Sequence, residues 1–352
     1  MRAKSLIAFT AVTVLLLLAA IWTVVGQRGE STVPTGGARV FTDLAANVNK
    51  AAEIDIVNFK SKWTLKRTGE NWFLTDKENY PVPLNRVKDL LVAMTELKQL
   101  EAKTKDPERY SRLAVEDIGP KESEAVSVTV KDEAGKTIAS GIIGKKNDTL
   151  YGKSGGGTYV RRTGEAQSWL AEGVVRVGVT HKDWVDKIVV SLAKKDVEKV
   201  ALIHPDAKEN FTASKKDPDA RYLELDAMPA GKKLKKDAEI NEIVEIMDGL
   251  DLEDVKKAAD IEWPKPGDHF EFTTFDGLIV SGEIISPKQY EYWIKLEADV
   301  AKSGKDLEKA KADADKINAK VNGWSYQIAA GYGEKLSKKL SEVTEDEKKS
   351  GS

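Results

Sequence analysis

The chain has 352 residues, 41% hydrophobic and 32% charged, which is enough apolar material for about two folded domains and excludes a disordered protein. Its 55 Lys and Arg against 57 Asp and Glu give a net charge of -2, which argues against the global basic field that draws nucleic acid. With no Cys, the chain has no disulfide, thiolate metal site, cysteine nucleophile or cysteine-borne lipid anchor.

The first thirty residues depart from this composition. Leu6 to Val25 carry no charge and include the block Leu15 to Leu18. At about 1.5 Å per residue, roughly 20 such residues span the ~30 Å hydrocarbon layer. Arg2 and Lys4 precede the run, so the positive-inside tendency keeps the N-terminus in the cytoplasm and sends the rest across. Trp22 suits the far interface. The competing reading is a cleaved signal peptide, whose apolar region is shorter and ends in small residues. Continuation through Ile21-Trp22-Thr23-Val24-Val25 favours an uncleaved anchor. The expectation is a single-pass protein of a bacterial inner membrane. Residues 1–26 form the cytoplasmic n-region and transmembrane anchor, 27–38, rich in Gly, Ser, Thr and Pro, a flexible tether, and the remainder lies in the periplasm.

Beyond the tether the sequence resembles itself. VKDLLVAMTELKQLEAKTK from Val87 aligns without a gap with INEIVEIMDGLDLEDVKKA from Ile240, placing Met94 on Met247 and Leu97 on Leu250. Val87, Leu90, Leu91, Met94, Leu97 and Leu100 share one helical face, with Asn85 as N-cap. Ile240, Ile243, Val244, Met247 and Leu250 do the same in the second copy. Downstream, SVTVKDEAGKTIASGIIG from Ser127 aligns with FEFTTFDGLIVSGEII from Phe270, each a hairpin turning at Ala134-Gly135 or Asp276-Gly277. Upstream, Ile54 to Val57, Trp63 to Leu65 and Trp72 to Leu74 predict a short meander. Val200 to Ile203, Phe211-Thr212 and Tyr222 to Leu225 predict its counterpart. Each copy is expected to close with a strand and a terminal helix: Thr158 to Val160 then Ala166 to Leu170, and Trp324 to Ile328 then Glu334 to Val343.

The predicted fold class is therefore α+β: an N-terminal transmembrane helix followed by two tandem, duplicated modules of antiparallel meander sheet with packed helices. The modules cover 39–180 and 181–343, and 344–352 reads as a disordered tail. The second carries a charged, Ala- and Lys-rich helical insert at 297–322, whose thin apolar face (Leu307, Ala310, Ile317, Val321) suits an exposed excursion.

No residue stands out as catalytic, cofactor-binding or metal-binding, and no cofactor is implied. His181, His204 and His269 lack the spacing of metal or base constellations. Lys153-Ser154-Gly155-Gly156-Gly157-Thr158 superficially resembles a phosphate loop, but it joins two strands and lacks the G-x-x-x-x-G-K-[ST] pattern. Asp and Glu sit among Lys partners, as in Lys194-Lys195-Asp196 and Glu308-Lys309, which reads as solvated surface. Trp63, Trp72, Trp184, Trp263, Trp293 and Trp324 lie in strand patterns beside turns. Packing is the ordinary role there, and a carbohydrate or peptide platform the alternative.

The anchor, the self-similarity and the junction THKDWVDKIVVSLAKKDVEKVALIHP together resemble the domain of unknown function 4340 family. That family's modules open with a W-x-D-K-x-hydrophobic run and a D-V-x-K-hydrophobic strand, here Trp184 to Val190 and Asp196 to Val200. Trp63-Thr64-Leu65, Asn71 to Leu74, Pro81-Val82-Pro83 and Val87 are similar to its W-x-L, W, P-V and V-x-x-L pattern. The resemblance implies no catalytic residues. It implies a setting beside gliding-type ABC transport components, with ABC permease and ATPase subunits as partners. The charged insert is not expected in every relative. The functional expectation is a non-enzymatic, membrane-anchored, extracytoplasmic auxiliary subunit of an ABC-type transport complex. The alternatives are an envelope glycan-binding protein or envelope-remodelling hydrolase using an inter-module cleft, and a self-associating structural scaffold.

Overall fold

A computed structural model describes residues 37–150, 155–235 and 237–347. The run Leu6–Val25, most of the tether and the end of the tail lie outside the described residues. The described chain divides into two compact units. One holds residues up to Lys62 together with Lys88–Val179; the other holds Trp63–Val87 and everything from Thr180.

In chain order, β1 (Ala51–Val57) precedes the meander β2 (Lys62–Thr68), β3 (Asn71–Leu74) and β4 (Tyr80–Val82). The helix Leu84–Glu96 follows, then β5 (Lys98–Ala102), β6 (Val126–Asp132), β7 (Thr137–Asn147), β8 (Gly157–Arg162) and β9 (Ser168–Glu172). In the first unit these strands pair antiparallel in the order β1-β6-β7-β8-β9-β5. Their period-two pattern puts Ile54, Ile56, Val128 and Val130 inside at 0% exposure, and Glu53, Asp55, Thr129 and Lys131 on the open face.

The second unit continues with β10 (Ile188–Val190), β11 (Val197–Ile203), β12 (Phe211–Ser214), β13 (Glu224–Leu225), β14 (Lys232–Leu234) and the helix Asp237–Glu245. Then come β15 (Leu250–Asp251), β16 (Asp254–Lys257), β17 (Asp268–Thr274), β18 (Leu278–Lys288) and β19 (Glu291–Val300). The helix Leu307–Val321, β20 (Trp324–Ile328), the helices Ala330–Leu336 and Leu340–Val343, and β21 (Thr344–Asp346) complete it. Its main sheet runs β13-β12-β11-β17-β18-β19-β20-β16, and two small ribbons pair β10 with β15 and β14 with β21. The fold is thus α+β with antiparallel sheets and few helices.

Several sequence expectations need correction. Ser168–Glu172 is a strand, not the terminal helix expected over Ala166 to Leu170. Gly164, with φ of 81°, turns the chain back after β8, and the segment pairs with β8 on one side and β5 on the other. Asn85 lies inside the helix that begins at Leu84, behind Pro83, and does not cap it. Leu100 belongs to β5, and Met247 and Leu250 lie beyond the helix that ends at Glu245, so the apolar period outlasts both helices. Residues 297–300 of the insert belong to β19, and Leu307–Val321 packs on β18 and β19 through Ala310, Ala314 and Val321, all buried. The tail begins as a strand, since Thr344–Asp346 pairs with Lys232–Leu234.

Trp63–Val87, expected within a first module of 39–180, belongs to the second unit for a visible reason. Tyr80 meets Trp324 edge-on at 4.8 Å between ring centroids and Tyr326 at 6.4 Å. Lys77 pairs with Asp254 at 2.5 Å, and the Lys257 N–H donates to Glu78.

Candidate functional site

Alternation along β17, β18 and β19 sends Phe270, Phe272, Val280, Ile284, Ile294 and Leu296 into the core of the second unit. The intervening residues form the opposite face. Strand register sets Glu271, Ser281 and Glu297 in one row and His269, Glu283 and Lys295 in the next. With Asn318, Asn322 and Trp324 as a further wall, this face encloses a groove of about 780 Å³. Lys295 Nζ lies 2.8 Å from Glu283 and 4.7 Å from the centre of the Trp263 ring, so its charge is engaged from two sides.

A second groove of about 850 Å³ lies between the loop Ile261–Gly267 and the ends of β18 and β19, lined by Trp263, Trp293 and four prolines. Both indoles are already tied down: Trp263 donates to the Ala258 carbonyl at 3.0 Å and Trp293 to Glu291 at 2.8 Å. That bond holds Glu291 below the ordinary carboxylate range. Lys256 stands 4.8 Å over Trp293, and Lys257, its neighbour pointing to the other face of β16, stands 3.4 Å over Trp324. The ring faces that would stack a sugar are therefore covered by lysines of the same chain. Trp72, Trp184, Trp293 and Trp324 are buried, and Trp63 and Trp263 half-buried, which is the packing role.

The three histidines occupy separate places. His181 donates from Nε2 to the Glu253 carbonyl at 2.9 Å and lies 5.6 Å from the Trp63 ring. Burial pushes it below the ordinary histidine range, an effect that the Glu253 carbonyl and Asp254 oppose. His204 is enclosed between Asp268 and the Lys338 carbonyl, while His269 lines the groove. In the glycine-rich loop, Gly157 and Thr158 open a strand, where a phosphate loop would open a helix, and Thr158 Oγ1 donates to the Gly173 carbonyl; residues 153 and 154 lie outside the described residues.

On the open face of the first unit, Lys131 bridges Glu53 at 2.7 Å and Asp55 at 2.6 Å. These two carboxylates hold its ammonium charged well beyond the ordinary lysine range. A hydroxyl chain, Thr129 to Ser140 to Thr163, runs beside it at 2.8 and 2.9 Å. Among the described residues, no group of three or more His, Asp and Glu is placed to hold a metal ion. No helix of the described residues is long and apolar enough to cross a membrane.

The model of one protein family, a domain of unknown function (DUF4340), matches residues 72–265. The chain belongs to this family. The DUF4340 match opens at Trp72 in β3 and closes in the loop that carries Trp263, so it includes the Trp184 to Val190 run and ends before β17. In that run Trp184 and Val185 are buried and Ile188–Val190 pairs with β15, which gives the motif a packing role. No curated protein matches the chain.

Two residues that the sequence did not single out organise the packing, one in each unit. Asn318 joins helix to strand, accepting the Ala298 N–H at 2.8 Å and donating to the Ala298 carbonyl at 2.7 Å. Arg161 is buried in the first unit. It donates to the carbonyls of Val115 at 2.8 Å and Glu165 at 3.1 Å, pairs with Asp117 at 2.5 Å and lies on the Tyr110 ring. Only the odd position of an arginine between Val160 and Arg162 on a strand hinted at it.

Proposed function

We propose that this chain is a membrane-tethered binding subunit, facing the periplasm and docking on an ABC-type transport complex, and that it acts by recognition rather than by catalysis. The observation that carries this reading is the open face of β17, β18 and β19. It is a broad groove whose Lys295 is already committed to Glu283 and Trp263, while Glu271 and Glu297 point outward without a cationic partner among the described residues. Such a surface recognises a polar partner by shape and charge. The tether is supported by the uncharged run Leu6 to Val25 behind Arg2 and Lys4. An origin by duplication belongs to the same proposal: β1-β6-β7-β8-β9-β5 and β11-β17-β18-β19-β20-β16 are one strand order used twice.

The test is in-cell crosslinking of a C-terminally tagged full chain, then detergent extraction, affinity capture and mass spectrometry. Recovery of an ABC permease with its ATPase, lost when Leu6 to Val25 is exchanged for a cleavable signal, supports the proposal. Recovery of the chain alone, or of cell-wall material, overturns it in favour of a scaffold or a glycan-binding protein.

A further inference from the structure

We infer that the C-terminal segment 337–347 is latched by a single hydrogen: His204, carrying hydrogen on both ring nitrogens, ties the Lys338 carbonyl to Asp268, and losing one of the two opens the latch. His204 directly follows β11, and its side chain is only 2% exposed. Nε2 lies 2.9 Å from the Lys338 carbonyl and Nδ1 2.9 Å from Asp268 Oδ1. A carbonyl oxygen only accepts, so Nε2 must carry hydrogen. An ionised carboxylate also only accepts, so Nδ1 must carry one too. Asp268 is 38% exposed, so its carboxylate also reaches water. A neutral imidazole has one N–H, and would either abandon Lys338 or turn a bare lone pair on the carboxylate.

The charged groups around the ring fit a latch that closes on a cation. Asp268 faces it from β17, with His269 as its neighbour in the chain. Glu209 faces it from the turn Ala207–Glu209 and accepts both the N–H and the hydroxyl of Ser341, at 3.1 and 2.8 Å. Those bonds, helped by Lys339 and His204, hold Glu209 below the ordinary carboxylate range. The segment brings Lys338 and Lys339 themselves. Held in this way are the helix Leu340–Val343 and β21, whose only strand partner among the described residues is β14. Protonation therefore favours the closed latch, and rising pH opens it, uncovering the backbone edge of Lys232–Leu234.

Hydrogen exchange of the full chain in detergent, at about pH 5.5 and about pH 8.5 and corrected for the intrinsic rate, reads this directly. Peptides covering 337–347 should exchange roughly tenfold more slowly at the lower pH, while those of β17 to β19 stay unchanged. Asp268→Asn should keep the segment protected at both pH values, because the Asn amide donates to the bare Nδ1 while Nε2–H still holds Lys338. His204→Phe should lose protection at both. Protection in the wild type that does not change with pH, or a pH step unaltered by Asp268→Asn, overturns the latch. So does an Nδ1 nitrogen shift, read by NMR at the lower pH, that shows no attached hydrogen; this measurement needs no variant to fold.

Discussion

The two units solve the same edge problem differently. In the first, β8 is followed after a short turn by β9, which pairs with it from Gly157 opposite Glu172 to Arg161 opposite Ser168. In the second, β20 pairs with β19 only from Tyr292 to Ile294, and the strand runs on to Val300 with its far edge open. An uncovered edge is a template for another chain. The helix Leu307–Val321 closes it, and the side-chain amide of Asn318 takes both backbone groups of Ala298 as a neighbouring strand would. One carboxamide thus stands in for a peptide unit. The insert's thin apolar face is sufficient because small residues, Ala310 and Ala314, let the helix approach the sheet closely.

Breaking each closure separately sharpens the contrast. Arg161→Met in β8 should have the largest effect, about 3 kcal/mol by urea denaturation, because the buried Val115 carbonyl and the part-buried Glu165 carbonyl lose their donor. Asn318→Ala should cost about 2 kcal/mol, since the Ala298 N–H and carbonyl are left unpaired. It should also introduce concentration-dependent association by light scattering, which Arg161→Met should not. No association in Asn318→Ala would show that the helix, not Asn318, guards the edge.

What was legible in the sequence follows from which signals are local. Val87, Leu90, Leu91 and Met94 announce their helix and are all buried, and the hairpins turn where Gly135 and Gly277 adopt positive φ, of 79° and 98°. The helix ends were not legible, because Leu97 and Leu250 stay buried after the backbone has left the helix and the apolar period cannot register the change. Ser168–Glu172 read as helix because five residues fit either period; only its two strand neighbours decide it. The grooves were invisible for a similar reason: Glu271, Ser281 and Glu297 are neighbours through register, not through spacing.

Smaller effects probe the polar clusters of the two units. His181 has its folded-state value lowered by burial, so the folded protein binds fewer protons there. The stability it contributes is present above the ordinary histidine value of about 6.5 and is lost as pH falls below it. The urea midpoint should drop between about pH 7.5 and about pH 5, and His181→Gln, which still donates to Glu253, should flatten part of that fall. Lys131→Met should matter least. Its cluster in the first unit is water-lapped, so about 0.5–1 kcal/mol is expected at neutral pH. The sign is opposite to His181: a lysine held charged contributes below its unfolded value, and the contribution fades only as pH rises past it.

The helix Leu84–Glu96 begins in one unit and ends in the other, and the residues before it, Trp63 to Pro83, are gripped by Asp254, Lys257, Trp324 and Tyr326, which the ribosome makes much later. A gene fragment stopping at Val179 would encode that meander without its grip. Once Tyr80 has been made, the meander must wait through about 240 further residues of synthesis before Trp324, its aromatic partner, exists.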